Sequence, residues 1–199
     1  KWAYVQLSPT ALPSGGTAGN PRDGDREPML DHSAMAFIGG GIMAEAMIKG
    51  LLRQRLVEAD HIIASGPRPE RGQELFDRYA IRTTTDNVEA AKDADIVVLS
   101  IKPQVLCPVL RVVVGPTPPD PVVVFLVAGA PMNTIQQMLD TPCVVRVMPN
   151  TPAQIGMGIS VWTATEVTTE AQRGQALTIL RAFGEEVYVG DESYLDMAT

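Results

Sequence analysis

The chain has 199 residues, 45% hydrophobic and 20% charged, which is enough apolar material for a packed core. Its formal net charge of -7, with no compensating basic run, argues against a nucleic-acid surface, and no apolar stretch reaches the length of a membrane span. The two cysteines, Cys107 and Cys143, lack CxxC spacing and read as core thiols in a reducing cytosol.

Residues 1–33 are rich in Pro, Gly, Ser and Asp and show no period. They read as a disordered leader, sequence upstream of a start at Met29 or Met35, with the character of neither a secretory signal nor a transit peptide. From Met35 a rhythm begins. "AMAFIG" predicts a first strand, and Ile42 to Leu52, with small or apolar residues at 43, 46, 47, 50 and 51, predicts a helix. "HIIAS" is a second strand, and "PERGQELFDRYA" a helix with Leu75, Phe76 and Tyr79 on one face. "IRTTTDN" gives a third strand and a turn, "VEAAKDA" a short helix, and "DIVVLSI" a fourth strand. "KPQVLCPVLRVVV" predicts a helix interrupted at Pro108; "PVVVFLVAG", "MNTIQQML" and "CVVRVM" then read as strand, helix and strand. Strands apolar on both faces, alternating with helices, predict a parallel sheet covered on both sides.

Beyond this point "GISVWTAT" alternates like a half-exposed strand. "EVTTEAQRGQALTILRAFG" is an amphipathic helix stopped by Gly184 just past its end, and "EEVYVG" a last strand. The expected fold is a doubly wound α/β domain over residues 34–190, mainly parallel, with extra strands at one edge, and residues 191–199 begin a linker.

Gly39, Gly41 and Ala44 fit G-x-G-x-x-A between the first strand and the first helix. In that place the first glycine permits a tight turn, and the second lets a pyrophosphate approach the positive helix end. Ala44 lets the helix lie close to the strand, and the whole reads as a Rossmann-type nucleotide turn. A glycine turn without a ligand is the alternative. The second strand ends at Ser65 and Gly66, where NAD-binding folds carry an acid, with Arg68 just beyond. With no carboxylate there to repel a 2′-phosphate, NADP is favoured and NAD stays open. Arg68 has the competing reading of a solvated charge at a helix start. Three later strand ends should face the same ligand: "SIKP" (100–103), "LVAG" (126–129) and "MPNTP" (148–152). Ala128 and Gly129 leave room for a flat ring, while Asn150 and Thr151 sit in a turn stiffened by Pro149 and Pro152, or in a plain proline-rich loop.

Taken together, "FIGGGIMAEAMIKGLL", "IIAS", "TTDN", "VVLSIKPQVL" and "VVRVMPNTPAQIGMGIS" resemble pyrroline-5-carboxylate reductase, in order and spacing, over residues 35 to 199. The resemblance implies NAD(P)H-dependent reduction of 1-pyrroline-5-carboxylate to L-proline in the cytoplasm. It also implies cofactor contacts from Ile38, Gly39, Gly40, Gly41, Ile42 and Met43, from Ser65, Gly66 and Asn87, from Ser100, Ile101, Lys102 and Pro103, and from Leu126, Val127 and Ala128. Arg68 and Asn150 join the list from the residue reading above. Gly66 is a departure, since members often carry a second polar residue there. Members continue into a helical domain that makes the homodimer, or higher homo-oligomer, and binds the small-molecule substrate. No catalytic residue and no metal site is therefore assigned within these residues, and His32 and His61 read as solvated. The chain alone is expected to bind cofactor without turning over. Rival readings are a non-catalytic dinucleotide-binding module and another reductase of the same broad fold, such as a hydroxyacid dehydrogenase.

Overall fold

The computed structural model describes residues 30, 32–113, 121–150, 152 and 157–197. Its strands are β1 (Met35–Ile38), β2 (Ile62–Ser65), β3 (Arg82–Thr84), β4 (Ile96–Leu99), β5 (Val122–Phe125), β6 (Val144–Pro149), β7 (Gly158–Ala164) and β8 (Gly184–Tyr188). The helices are α1 (Ile42–Arg53), α2 (Pro69–Tyr79), α3 (Asn87–Ala91), α4 (Leu106–Val113), α5 (Met132–Leu139), α6 (Glu170–Arg181) and α7 (Ser193–Met197). One sheet holds all eight strands in the order β3-β2-β1-β4-β5-β6-β7-β8. Every pairing from β3 across to β6 is parallel; β7 runs antiparallel to β6, and β8 parallel to β7. This is the expected Rossmann-type doubly wound fold with extra strands at one edge.

Successive strand residues point to opposite faces of the sheet. Met35 and Phe37 accordingly join Met47, Ile48 and Leu51 of α1 and Ile179 and Leu180 of α6 in one core. Ala36 and Ile38 join Ala90 and Ala91 of α3, Leu110 of α4 and Ile135 of α5 in the other. Helix ends are closed locally where the sequence allows. Asp86 accepts from Val88 N at 2.8 Å to cap α3, and Thr169 with Gln172 forms a capping box on α6. At the far end of α1 the backbone touches α6: a Cβ on Gly50 would stand 2.2 Å from the Ala182 carbonyl oxygen.

Several expectations are corrected. Leu30 is fully buried in the core and Ser33 is buried too, so packing starts inside the stretch read as a leader; the rest of that stretch, 1–29 and 31, lies outside the described residues. Pro108 does not interrupt α4, because it occupies the first turn, where its missing N–H has no intrahelical acceptor. Leu75 is buried but Phe76 is 52% exposed, so the buried face of α2 is narrower than its spacing suggests. Gly184 is not a helix stop. It opens β8, and it must lack a side chain because a Cβ would lie 2.3 Å from Gly158 O. Cys107 is exposed on α4, and only Cys143 is buried.

Residues 191–197, expected to begin a linker, instead pack on the domain, and a buried cation is the reason. Arg146 in β6 is 2% exposed, with its guanidinium 2.6 Å from Glu192 and 2.5 Å from Asp196 of α7. Glu192 also accepts from Met132 N at 2.8 Å, closing the start of α5. Glu192→Ala removes one of the two carboxylates that compensate the buried guanidinium and the acceptor of Met132 N, so it should destabilise the domain by about 2 kcal/mol. Arg146→Met removes the charge together with its need for partners and should cost less. Urea denaturation of both variants compares them; a larger loss in Arg146→Met would mean that the ion pairs themselves stabilise the fold.

Candidate functional site

The strand order reverses at β1, with β2 on one side and β4 on the other, and this is where a crevice opens at the carboxyl ends of parallel strands. A cleft of about 590 Å3 lies there. Its floor is the turn from β1 to α1. Gly39 takes φ +100°, a conformation L side chains resist, and a Cβ on it would lie 2.5 Å from Ser100 O at the end of β4. The amides of Gly39 and Gly40 both donate to Ser65 O at 3.0 Å, tying the turn to β2. Gly41 is different: a Cβ there would meet nothing within 4 Å. No side chain caps α1, so its first-turn amides stay available at the positive end of the helix.

The cleft brings together Gly39, Gly40, Gly41, Ser65, Gly66, Arg68, Ser100, Ile101 and Lys102 from the predicted set. The other predicted residues lie outside its lining. Ile38 is buried at the end of β1, Ile42 is exposed on the first turn of α1, and Met43 packs against the core. Asn87 sits behind the wall, where its Oδ1 accepts the Ser65 hydroxyl at 2.7 Å. That bond commits the hydroxyl proton of Ser65 within the protein. Pro103 opens a short 3-10 turn after Lys102. Leu126 donates its amide to Leu99 O at 3.0 Å, Val127 is buried, and Ala128 is half-buried in the loop after β5. Asn150 closes the β6–β7 ladder: its Oδ1 accepts from Ile159 N at 3.0 Å, and its own amide donates to Ile159 O at 3.3 Å. Thr151 lies outside the described residues. His32 is exposed, but His61 is half-buried with an unpartnered Nδ1 shut off from solvent, unlike the solvated residue expected.

Arg71, Thr83, Thr84 and Thr85 also line the cleft, and sequence reasoning missed them. Arg71 Nε donates to Gly40 O at 2.9 Å, and its other nitrogens pair with Glu45 of α1 and with Glu74 at 2.8 Å. Glu45 in turn accepts from Arg78 and from the Tyr79 hydroxyl, each at 2.9 Å. Burial alone would raise the Glu45 pKa, but the hydrogen bonds from Arg71, Tyr79 and Arg78 outweigh it and hold the carboxyl below its usual value. Burial would likewise lower Arg71, and its carboxylate partners raise it instead.

An uncapped helix start, a glycine turn at the switch point and a cationic cleft define a Rossmann-type domain built to face an anionic ligand. Comparison with known proteins makes the family specific. Residues 34–129 match the family model described as NADP oxidoreductase, coenzyme F420-dependent. Pyrroline-5-carboxylate reductase of Vibrio alginolyticus is 37% identical over 165 residues, which are 82% of this chain and 60% of that protein. A solved pyrroline-5-carboxylate reductase from Coxiella burnetii superposes with a TM-score of 0.76 at 29% identity, covering 82% of this chain and 61% of that one. The Plasmodium falciparum pyrroline carboxylate reductase, solved with NADP bound, gives 0.72 at 20% identity over 85% and 62%. The chain belongs to the pyrroline-5-carboxylate reductase family and spans about 60% of the length of the curated relatives it matches.

Two substitutions separate the roles of the glycines. Gly39→Ala should lower the melting temperature, because it forces a Cβ against Ser100 O at positive φ. Gly41→Asp should leave the melting temperature nearly unchanged yet repel an anionic ligand at the helix start. Thermal melts together with ligand titrations test the pair, and a Gly41→Asp variant that still binds the anion would place the ligand elsewhere. The Glu45 cluster predicts an acid dependence. Since the folded pKa is depressed, its stabilisation is complete above the ordinary carboxylate value of 4.5 and is lost as pH falls through the folded value. Glu45→Gln should flatten the fall in melting temperature below that pH; an unaltered slope would assign the acid sensitivity to other carboxyls.

Proposed function

We propose that the cleft binds NADPH and that this chain is the cofactor-binding part of a reductase converting 1-pyrroline-5-carboxylate to L-proline. The observation that carries the reading is electrostatic. In a chain of net charge -7, the cleft is lined by Arg68, Arg71 and Lys102 and, among the described residues, by no carboxylate. Such a wall attracts a pyrophosphate, and it lacks the acid that would repel a 2′-phosphate. The open space at Gly41 and the uncapped start of α1 fit the pyrophosphate. Gly66, Arg68 and Thr84, around the end of β2, are assigned to the 2′-phosphate side, and Ser100 to Pro103 and Leu126 to Ala128 to the nicotinamide side. Asn150 is bonded back to Ile159 of β7.

When bound, the nicotinamide supplies the hydride for the C=N carbon of the substrate; the residues of this chain bind and orient it. Substrate positioning is assigned to the remaining part of the relatives' length, and the full-length enzyme is read as a cytoplasmic homo-oligomer. The name shared by the relatives and the cationic lining support this reading together.

NADPH should bind roughly tenfold or more tightly than NADH, the difference expected of one charge-assisted contact to the 2′-phosphate. Fluorescence titration with both cofactors measures it, and NADH binding as tightly would overturn the NADP preference. In an NADPH-oxidation assay with pyrroline carboxylate, residues 1–199 should bind cofactor without robust turnover, because holding the imine against the nicotinamide can contribute about 7–11 kcal/mol to catalysis. Rapid proline formation would instead place a complete substrate pocket within these residues, near Asn150.

A further inference from the structure

We propose that Arg71 is a positioning residue for the nucleotide: it sets the orientation of the Gly40–Gly41 peptide and thereby aims the Gly41 amide at the pyrophosphate. The inference rests on the cofactor reading above. The peptide in question has a glycine on each side, so no Cβ opposes its rotation, and a flip would cost little on its own. Its neighbours are already fixed. The Gly39 and Gly40 amides both donate to Ser65 O, leaving Gly41 as the first amide of the turn not bound to the protein in this way. In a trans peptide the carbonyl and the following N–H point in opposite directions. Arg71 Nε holds the Gly40 carbonyl at 2.9 Å, so the Gly41 N–H is turned the other way, and a Cβ on Gly41 would crowd nothing within 4 Å.

The guanidinium is itself immobilised. Its two terminal nitrogens are engaged by Glu45 and Glu74, and only 17% of the side chain is exposed. Arg71 thus fixes a carbonyl that would, if flipped, turn the Gly41 N–H away and present a partial negative charge in its place. Arg68, which makes no ion pair among the described residues, is left to face the ligand directly.

The test compares Arg71→Met with Arg78→Met. Both remove an ion pair from Glu45 between the same two helices, but only the first releases the Gly40 carbonyl. NADPH affinity, read by fluorescence titration, should fall about tenfold or more in Arg71→Met and less than about twofold in Arg78→Met. Adenosine 2′-monophosphate, which has no pyrophosphate, should bind equally to both variants and to the unsubstituted chain. Equal NADPH affinity in Arg71→Met overturns the proposal. So does a parallel loss of adenosine 2′-monophosphate binding, which would mean that the guanidinium touches the 2′-phosphate itself. Should Arg71→Met fail to fold, the unsubstituted chain still decides. In its amide NMR spectrum NADPH should shift Gly41 far more than Gly39 or Gly40, and an unmoved Gly41 resonance overturns the inference. No NADPH binding by the unsubstituted chain would sink the cofactor reading first, and this inference with it.

Discussion

One point of crowding organises the domain. Where β1 ends, the backbone at Gly39 runs so close to β4 that even a methyl group would collide with the Ser100 carbonyl. Only a glycine at positive φ passes there, and the turn that results delivers two amides to Ser65 O on the other side. The central strand is thereby joined to both neighbours at the level where α1 begins. Because the strand order reverses at β1, that level is also where the helices diverge to opposite faces. The cleft is the space this divergence leaves.

Charge is handled in two contrasting ways around that frame. At the cleft, Glu45 gathers Arg71, Arg78 and Tyr79 from α2, so a single carboxylate holds the second helix against the first. The cluster is partly wet, and hydrogen bonding outweighs desolvation in setting its protonation. Near the other edge the arrangement is inverted: one guanidinium, Arg146, is the buried group, and two carboxylates come to it from the chain after β8. A buried cation without partners would be far more costly than a solvated one, so the last described helix is drawn onto the sheet. Its Nε still lacks an acceptor, leaving this the less completely satisfied of the two clusters.

Much of this was legible in the residues. Runs such as "DIVVLSI" and "PVVVFLVAG" announce strands buried on both faces, and the glycine spacing beside α1 marks the turn. What periodicity does not carry is pairing between distant residues. Arg71 looks like one more charge in "PERGQE", and its bond to Gly40 O spans 31 positions and exists only once α2 lies against α1. Ser65 looks like a free hydroxyl until Asn87, 22 positions on, accepts its proton. Gly184 looks like a helix stop because a stop and a tight strand contact both demand glycine, and only the neighbouring Gly158 distinguishes them. Arg146 gives no local sign of burial, since its partners come from residues 192 and 196.

The missing side chain at Gly50 has a mechanical consequence. With no Cβ there, the last turns of α1 rest directly on the Ala182 carbonyl, which also accepts the Gln54 carboxamide at 3.0 Å. The helix has 12 residues and is therefore about 18 Å long, and near its far end it meets backbone rather than a pliable side chain. A side chain at Gly50 would have to push the end of α6 aside, so the spacing between α1 and α6 is set by backbone against backbone and has no side chain to compress.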